Sequence, residues 1–283
     1  MEIMQEPAAV RRITEDYRRE GKSIGLVPTM GALHEGHLSL IRRCRIENDV
    51  AIMSLFVNPT QFNHQDDLDS YPRDLEADSR LAREAGVDII LAPTGAGMYP
   101  EGYVTYVNVE RVTDRWEGAS RPGHFRGVAT VCTKLFSICR PHRAYFGQKD
   151  YQQSLVVRRL GADLNLDLEI VVLPTVREPD GLALSSRNVL LKPEERRQAT
   201  VLSQALFQAQ AAVRAGQRDA TRLRAAIEGH IQSAPLAVPD YVGVCDPETL
   251  EPLEKIEDRA VAVVAASFGT TRLIDNMLLE PGS

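Results

Sequence analysis

His34 and His37 stand three residues apart in VPTMGALHEGHLSLI, residues 27–41. The apolar run before them reads as a strand and the periodic run after them as a helix. In a helix opening near Glu35, the first backbone N–H groups lack intrahelical partners and the positive end of the dipole faces outward, which together make an anion site. Imidazoles at this spacing can face one phosphate-sized ligand, and Gly36 lets a nucleotide approach the backbone without a Cβ in the way. Two other readings stand beside this one: a metal-binding histidine pair, and imidazoles that only cap or pack. The zinc-protease motif His-Glu-x-x-His needs histidines four apart and is absent. So is the dinucleotide fingerprint G-x-G-x-x-G. No third metal ligand lies nearby, and the phosphate reading is favoured.

Three further stretches carry chemistry. In NPTQF, residues 58–62, Asn58 and Pro59 suit a turn, and Gln61 offers an amide that donates and accepts, fitting hydroxyls and a carboxylate. In FGQKDYQQ, residues 146–153, Gly147 closes a short strand before Lys149, a point charge for phosphate oxygens, and Asp150, a partner for ribose hydroxyls. An adjacent Lys-Asp is by itself more often a surface pair, but position at a strand's carboxyl end favours function. In PDGLALSSRN, residues 179–188, a Pro-Asp-Gly turn precedes Ser185, Ser186 and Arg187, which can hold a polyphosphate through charge-assisted hydrogen bonds. No Ser–His–Asp or Cys–His nucleophile is evident. His64, His124, His142 and His230 are left as structural, with His124 and Arg126 also candidates for an interface or site rim.

The elements that must position these groups alternate strand and helix over the first two thirds of the chain. Strand-like runs cover residues 23–28, 51–57, 87–92, 143–146 and 168–173. Helical patterns cover 37–48, 73–85, 127–139 and 151–164. The first twenty residues read as charged and helical. Strands that are unbroken apolar runs suit a parallel sheet covered on both faces. The expected fold is therefore α/β, a doubly wound parallel sheet, with ligands beyond the carboxyl ends of its strands. From Pro193 two helices (194–215 and 219–233) precede strands near 240–245, 260–266 and 272–278, which suggests a smaller C-terminal α+β domain. The boundary is placed at 176/177.

Composition bounds the rest. With 283 residues, 43% hydrophobic and 25% charged, the chain can bury a sizeable core, and its net charge of −6 argues against nucleic acid as a partner. No run approaches the roughly 20 apolar residues of a membrane span, and no signal-peptide pattern opens the sequence. Cys44, Cys132, Cys139 and Cys245 form no Cys-x-x-Cys pair and read as buried thiols in a reducing compartment, so a cytoplasmic location is expected.

The pattern His-x-Gly-His after a first strand is similar to the signature of the adenylyl-transferring superfamily that includes class I aminoacyl-tRNA synthetases. With SLFVNPTQF, YPRDLEAD, MYPEG, FRGVATVCTKLF, RAYFGQKDYQQSLVVRRL and PTVREPDGLALSSRN in order across residues 23–190, the chain resembles the pantothenate synthetase family. These are AMP-forming ligases joining pantoate to β-alanine. The resemblance implies a Rossmann-like nucleotidyltransferase domain at 1–176 that binds ATP and pantoate. It implies that Met30, Gly31, Ala32, Leu33, His34, Glu35, Gly36 and His37 line the ATP phosphate site, with His37 as proton donor. Gly147, Gln148, Lys149 and Asp150 would contact ribose and phosphate, and Val176 the adenine through its backbone. Leu184, Ser185, Ser186 and Arg187 would form a phosphate-gripping loop. Gln61 and Gln153 would hold pantoate, with Gln61 near β-alanine too. His37, His34, Lys149 and Arg187 are the catalytic candidates. Mg2+ would sit on ATP oxygens and water rather than in a protein metal site, and the family suggests a homodimer. Gln148 departs from the glutamate of the family pattern, which removes charge and keeps hydrogen bonding.

A ligase of this kind would form an acyl-adenylate and protect it from water in a site between two closing domains. Its closest rival is a superfamily adenylyltransferase acting on another small substrate. A non-catalytic nucleotide-binding module and a tRNA ligase fit less well: the first leaves Lys149, Ser185, Ser186 and Arg187 unexplained, and the second needs an anticodon domain.

Overall fold

The computed structural model describes residues 1–63, 65–69 and 71–282; His64, read from sequence as structural, lies outside them. Six strands form one wholly parallel sheet: β1 (Glu2–Met4), β2 (Ile24–Thr29), β3 (Val50–Leu55), β4 (Ile89–Leu91), β5 (Arg143–Gly147) and β6 (Glu169–Leu173), in the order β1-β4-β3-β2-β5-β6. The unbroken apolar runs have a direct cause. Successive strand residues point to opposite faces, and both faces are covered. Ile24, Leu26, Val50, Ile52, Ile89, Leu91, Ala144 and Phe146 enter one core with Val10 of helix Pro7–Arg19, Val128 and Leu135 of helix His124–Cys139, and Val156 and Leu160 of helix Tyr151–Asp163. Their alternates Val27, Ala51, Met53, Ile90 and Tyr145 enter a second core with Leu40, Ile41 and Cys44 of helix Glu35–Glu47 and Ala82 of helix Leu75–Glu84. The sheet is doubly wound, as the sequence predicts.

Strand order reverses at β2. The chain runs from β2 to β3 and β4 on one side and from β5 to β6 on the other. The ladder between β2 and β5 is short, pairing only Gly25 with Arg143 and Leu26 with Ala144. Each strand pairs with its outer neighbour to its last residue, Thr29 with Leu55 and Gly147 with Leu173. The sheet therefore parts at the carboxyl ends of β2 and β5, the switch point where α/β sheets receive ligands.

The sequence reading misses β1. It takes residues 1–20 as helical, but Glu2–Met4 pairs with Ile89–Leu91 as an edge strand and the helix starts only at Pro7, its missing N–H harmless at the first helical turn.

Backbone contacts divide the chain into two compact units. The first comprises Met1–Thr113, Arg121–Gly147 and Gln153–Pro174. The second comprises Asp114–Ser120, Gln148–Gln152 and Thr175–Ser283. The two short segments, which the sequence assigns to the first domain, thus group with the second unit. That unit carries helices Pro193–Ala199, Val201–Arg214 and Ala220–Gln232 and an antiparallel sheet of β7 (Ala237–Cys245), β8 (Ala260–Phe268) and β9 (Thr271–Leu279), in that order. The single helix expected over 194–215 is broken at Thr200, the C-cap of one helix and N-cap of the next. Leu202, Leu206 and Val213 pack with Leu223, Ile227, Val242, Val244, Val264 and Phe268 in its core.

All four cysteines are free and buried, and burial pushes each thiol up to about 12. A thiol in this state is a poor nucleophile. Titration of the native protein with a thiol-specific chromogenic disulfide at pH 8 should therefore detect fewer than one reactive group per chain, and all four after denaturation. A full reaction without unfolding would contradict this packing.

Candidate functional site

Between β2 and helix Glu35–Glu47 the chain makes a turn in which side chains accept several of the backbone amides. Gly31 (φ 92°) and Ala32 (φ 51°) adopt left-handed conformations. At Gly31 glycine suits the turn twice over, since a Cβ there would also lie 2.8 Å from Asp78 Oδ2. The Ala32 and Leu33 amides donate to the two oxygens of Asp78, at 3.0 and 2.8 Å. The Gly36 amide donates to His34 Nδ1 (3.1 Å) and the His34 amide to His37 Nδ1 (3.4 Å). His34 is the helix N-cap, and the two histidines form a reciprocal capping box, with ring centroids 4.2 Å apart.

Of the amides the sequence expects to be bare at the helix start, that of Gly36 is taken by the His34 imidazole; the amides of Ala32, Leu33 and His34, in the turn before the helix, go to Asp78 and His37. The capping also changes the reason for Gly36. The space a Cβ would fill is occupied by the His34 ring, 2.8–2.9 Å away. A neutral imidazole whose Nδ1 accepts must carry its proton on Nε2. The capping box thus sets the tautomer of both histidines, assigned from their hydrogen bonds, and makes each Nε2–H a donor. Capping and ligand binding, alternatives in the sequence, are compatible here.

The second group gathers around Gln61. Its side chain is buried at the end of the short 3₁₀ turn Pro59–Gln61, where Nε2 contacts Met30 Sδ (3.0 Å) and Oε1 accepts from Asn58 Nδ2 (3.0 Å). Met30 and Gln61, separate in sequence, are thereby brought together. Asn58 also donates to the Gly127 carbonyl (3.2 Å) and accepts from the Tyr99 hydroxyl (2.8 Å). Burial pushes that phenol up to about 12, so it remains a donor. The Gln61 carbonyl meets His124 Nδ1 (2.8 Å) and accepts from Arg121 Nη2 (3.2 Å). Arg126, paired with His124 as a rim candidate, stacks its guanidinium 3.9 Å from the Tyr106 ring centroid. A cavity of about 280 Å³ opens here, bordered by Thr60, Phe62, Tyr106, His124 and Arg126. Gln153 is half-buried on helix Tyr151–Asp163, and among the described residues no hydrogen bond joins it to this group. His142, left as structural, accepts the Ile24 amide at Nδ1 (2.9 Å), and burial lowers its proton affinity.

In the second unit, Gln148–Asp150 forms a 3₁₀ turn directly after Gly147. Lys149 is mostly covered, with 20% of its side chain exposed, and its Nζ lies 3.4 Å from Asp150 Oδ1. The Asn276 amide donates to the carbonyls of both Gln148 and Lys149 at 2.9 Å. Val176 and Leu184 face each other in a hairpin, the Leu184 amide donating to the Val176 carbonyl (3.0 Å). The Pro-Asp-Gly turn closes it, with the Gly181 amide on the Glu178 carbonyl (2.8 Å). Arg196 forks across the turn to Glu178 and Asp180, both at 2.7 Å. Ser185 caps the short 3₁₀ turn Ser186–Leu190, its Oγ accepting from the Arg187 amide (3.2 Å). Ser185, Ser186 and Arg187 therefore sit on a loop anchored at its base.

Sequence reasoning missed the residues beneath these groups: Asp78, Tyr99, Asp275 and Asn276, together with the network role of Asn58. Asp78 had a signal, being an acid at a position sharing a helical face with Ser79 and Ala82, all buried. A buried carboxylate implies a donor. Removing it in Asp78→Ala strands two amides and should cost about 2 kcal/mol or more, with Asp78→Asn, which keeps one acceptor, in between. Urea titration with an unchanged slope checks this. Equal midpoints for all three proteins would contradict it.

The pantoate-beta-alanine ligase family model matches residues 2–278. Pantothenate synthetase of Moorella thermoacetica is 57% identical over 280 residues, covering 99% of each chain; that of Roseiflexus sp. is 59% identical over 256 residues, 90% of this chain and 92% of the relative. The crystal structure of pantothenate synthetase from Thermus thermophilus superposes with a TM-score of 0.94 at 48% identity, covering 99% of this chain and 100% of that one. A pantoate-beta-alanine ligase from Francisella tularensis, solved with beta-gamma ATP and beta-alanine, gives 0.80 at 35% identity, covering 98% and 97%. With its sheet, its histidine-capped helix and nearly every residue aligned to these enzymes, the chain belongs to the pantoate–β-alanine ligase family.

Proposed function

We infer that this protein condenses pantoate with β-alanine at the expense of ATP, passing through a pantoyl-adenylate and releasing pyrophosphate and AMP. The reading is carried by one observation: the sheet parts at the ends of β2 and β5, and the chain leaving β2 there is the turn that ends in two imidazoles whose Nδ1 atoms accept backbone amides. Membership of the family supports it, as does the Francisella relative solved with an ATP compound and beta-alanine.

A carboxylate resists attack by an amine because its charge is delocalised. In the proposed first step a pantoate oxygen attacks the α-phosphorus and the bond to pyrophosphate breaks, giving a mixed anhydride. In the second the β-alanine nitrogen attacks the activated carbonyl, loses a proton and expels AMP. Positioning and charge stabilisation dominate such a reaction. His34 and His37 donate Nε2–H bonds to phosphate oxygens, with the His37 bond stabilising the charge that develops on the departing pyrophosphate. Residues 30–36 wrap the phosphates, and Gly147, Gln148, Lys149 and Asp150 hold phosphate and ribose. Val176 meets the adenine, and Leu184, Ser185, Ser186 and Arg187 grip the phosphate chain. Gln61 and Gln153 hold pantoate. Asn58 and Met30 already hold the Gln61 amide in one orientation, which fits a substrate contact better than a solvated glutamine.

Mg2+ would enter on ATP, held by phosphate oxygens and water as this hard ion prefers. No trio of His, Cys, Asp or Glu gathers among the described residues, so no protein cage is assigned to it. The division at 176/177 would separate the ATP- and pantoate-binding domain from a smaller partner domain. A homodimer, the commonest closed oligomer, completes the proposal, with a cytoplasmic location, consistent with four unpaired thiols. Among the described residues no helix is long and apolar enough to cross a membrane.

Labelled pyrophosphate should exchange into ATP when pantoate and Mg2+ are present and β-alanine is absent. Lys149→Ala should slow that exchange by about 10²–10³. Exchange that requires β-alanine would reject the two-step route, and a normal rate in Lys149→Ala would reject the role given to this ammonium.

A further inference from the structure

Strand β9 carries two consecutive buried polar residues, Asp275 and Asn276, within the apolar stretch from Leu273 to Leu279. Neighbours on a strand point to opposite faces, so one packing surface cannot account for both. Each is tied to a different segment. The two Nδ2 hydrogens of Asn276 go to consecutive carbonyls, Gln148 O and Lys149 O, both at 2.9 Å, while its Oδ1 lies 3.4 Å from Gln148 Nε2. With two acceptors facing one nitrogen, the amide can be oriented only one way. Asp275 takes Arg177 as a two-pronged pair (2.7 and 3.0 Å), and the same guanidinium donates to the Gly181 carbonyl (3.0 Å) and the Asn276 carbonyl (3.3 Å). The Asp275 side chain is 2% exposed. The Asn276 backbone N–H closes the set by donating to Asp275 Oδ1 (2.7 Å).

We propose that Asn276 is the positioning residue for Lys149, and that the Asp275–Asn276 step of β9 sets the lysine turn and the base of the 176–184 hairpin from one rigid strand. The proposal rests on the role given above to Lys149. A four-carbon side chain aims its ammonium only as well as its Cα is held, and a 3₁₀ turn of three residues has little hydrogen bonding of its own. Two donors from a buried side chain, on a strand paired along its whole length with β8, supply that hold. Without them two carbonyls lose their partner and the turn can shift, and misplacement by about 1 Å costs on the order of 100-fold in rate.

The test is a double-mutant cycle on the full chain, read by pantoate-dependent pyrophosphate exchange. Asn276→Ala should lower the maximal exchange rate by about 10- to 100-fold and leave the KM for β-alanine in the complete reaction unchanged. In a Lys149→Ala background the same substitution should cost less than about twofold, since residues acting as a unit are non-additive. Asn276→Asp keeps the volume but turns a carboxylate toward the two carbonyls, and should be at least as slow as alanine. Asn276→Ser, with one hydroxyl donor, should recover part of the rate. Thermal unfolding of each variant identifies any that are not folded, and the cycle is then completed with serine in place of alanine. An equal loss with and without Lys149, or exchange within twofold of normal in Asn276→Ala, overturns the proposal. Undiminished exchange in Lys149→Ala alone overturns the reading of the lysine itself, a separate result.

Discussion

The turn after β2 hands four of its backbone N–H groups to side chains, and the chemistry of the two histidines follows from how it does so. A chain passing from a buried parallel strand into a helix exposes donors that neither element can satisfy. Here Asp78 takes two and the imidazoles of His34 and His37 take one each. The consequence is chemical as well as structural. Using Nδ1 as the acceptor commits both rings to Nε2 protonation, so satisfying the backbone produces a pair of hydrogen-bond donors on the helix terminus, where the dipole already favours an anion. The carboxylate that completes the arrangement comes from helix Leu75–Glu84, on the far side of β3 in sequence.

The sheet places this turn at its switch point. Its central strands are buried on both faces, leaving only the strand ends for chemistry, and the ladder between β2 and β5 gives out before those ends are reached. Gln61 is fixed in a similar way: Asn58 directs its amide to Gln61 and Gly127 and its carbonyl to Tyr99 and Thr60, leaving the 3₁₀ turn little freedom. In the second unit β9 holds the 148–149 turn and Arg177 through adjacent residues. In each case a group assigned to ligand binding in the proposed function rests on a buried polar residue whose own hydrogen bonds are taken up.

The doubly wound sheet was legible because burial on both faces leaves continuous apolar runs, and the helix after β2 because its periodicity is plain over 37–48, two residues inside its start at Glu35. Glu2–Met4 was not legible: three residues are too few to display a period, and the helical pattern beginning at Pro7 overran them. Nor was the break at Thr200, where one helix hands over to the next without a glycine or proline to mark it. Local pattern identified the loops around His34, Gln61, Lys149 and Ser185. It could not identify Asp78 or Asn276, whose partners lie more than forty and more than a hundred residues away. Asp78 was at least visible as an acid on a buried helical face. Asp275 and Asn276 lay inside the strand expected over 272–278 with nothing in the local pattern to single them out. The grouping of residues 148–152 with the second unit was equally hidden, since it depends on contacts made by β9 rather than on composition.

The tautomer of the two capping histidines is the point on which the account turns, and nitrogen NMR reads it directly. In protein labelled with 15N-histidine at pH 8, long-range 1H–15N correlations should give His34 and His37 each a protonated Nε2 and an unprotonated, hydrogen-bonded Nδ1. Either ring carrying its proton on Nδ1 would mean that the backbone amides are not capped as described, and that the donors assigned to the phosphate site do not exist.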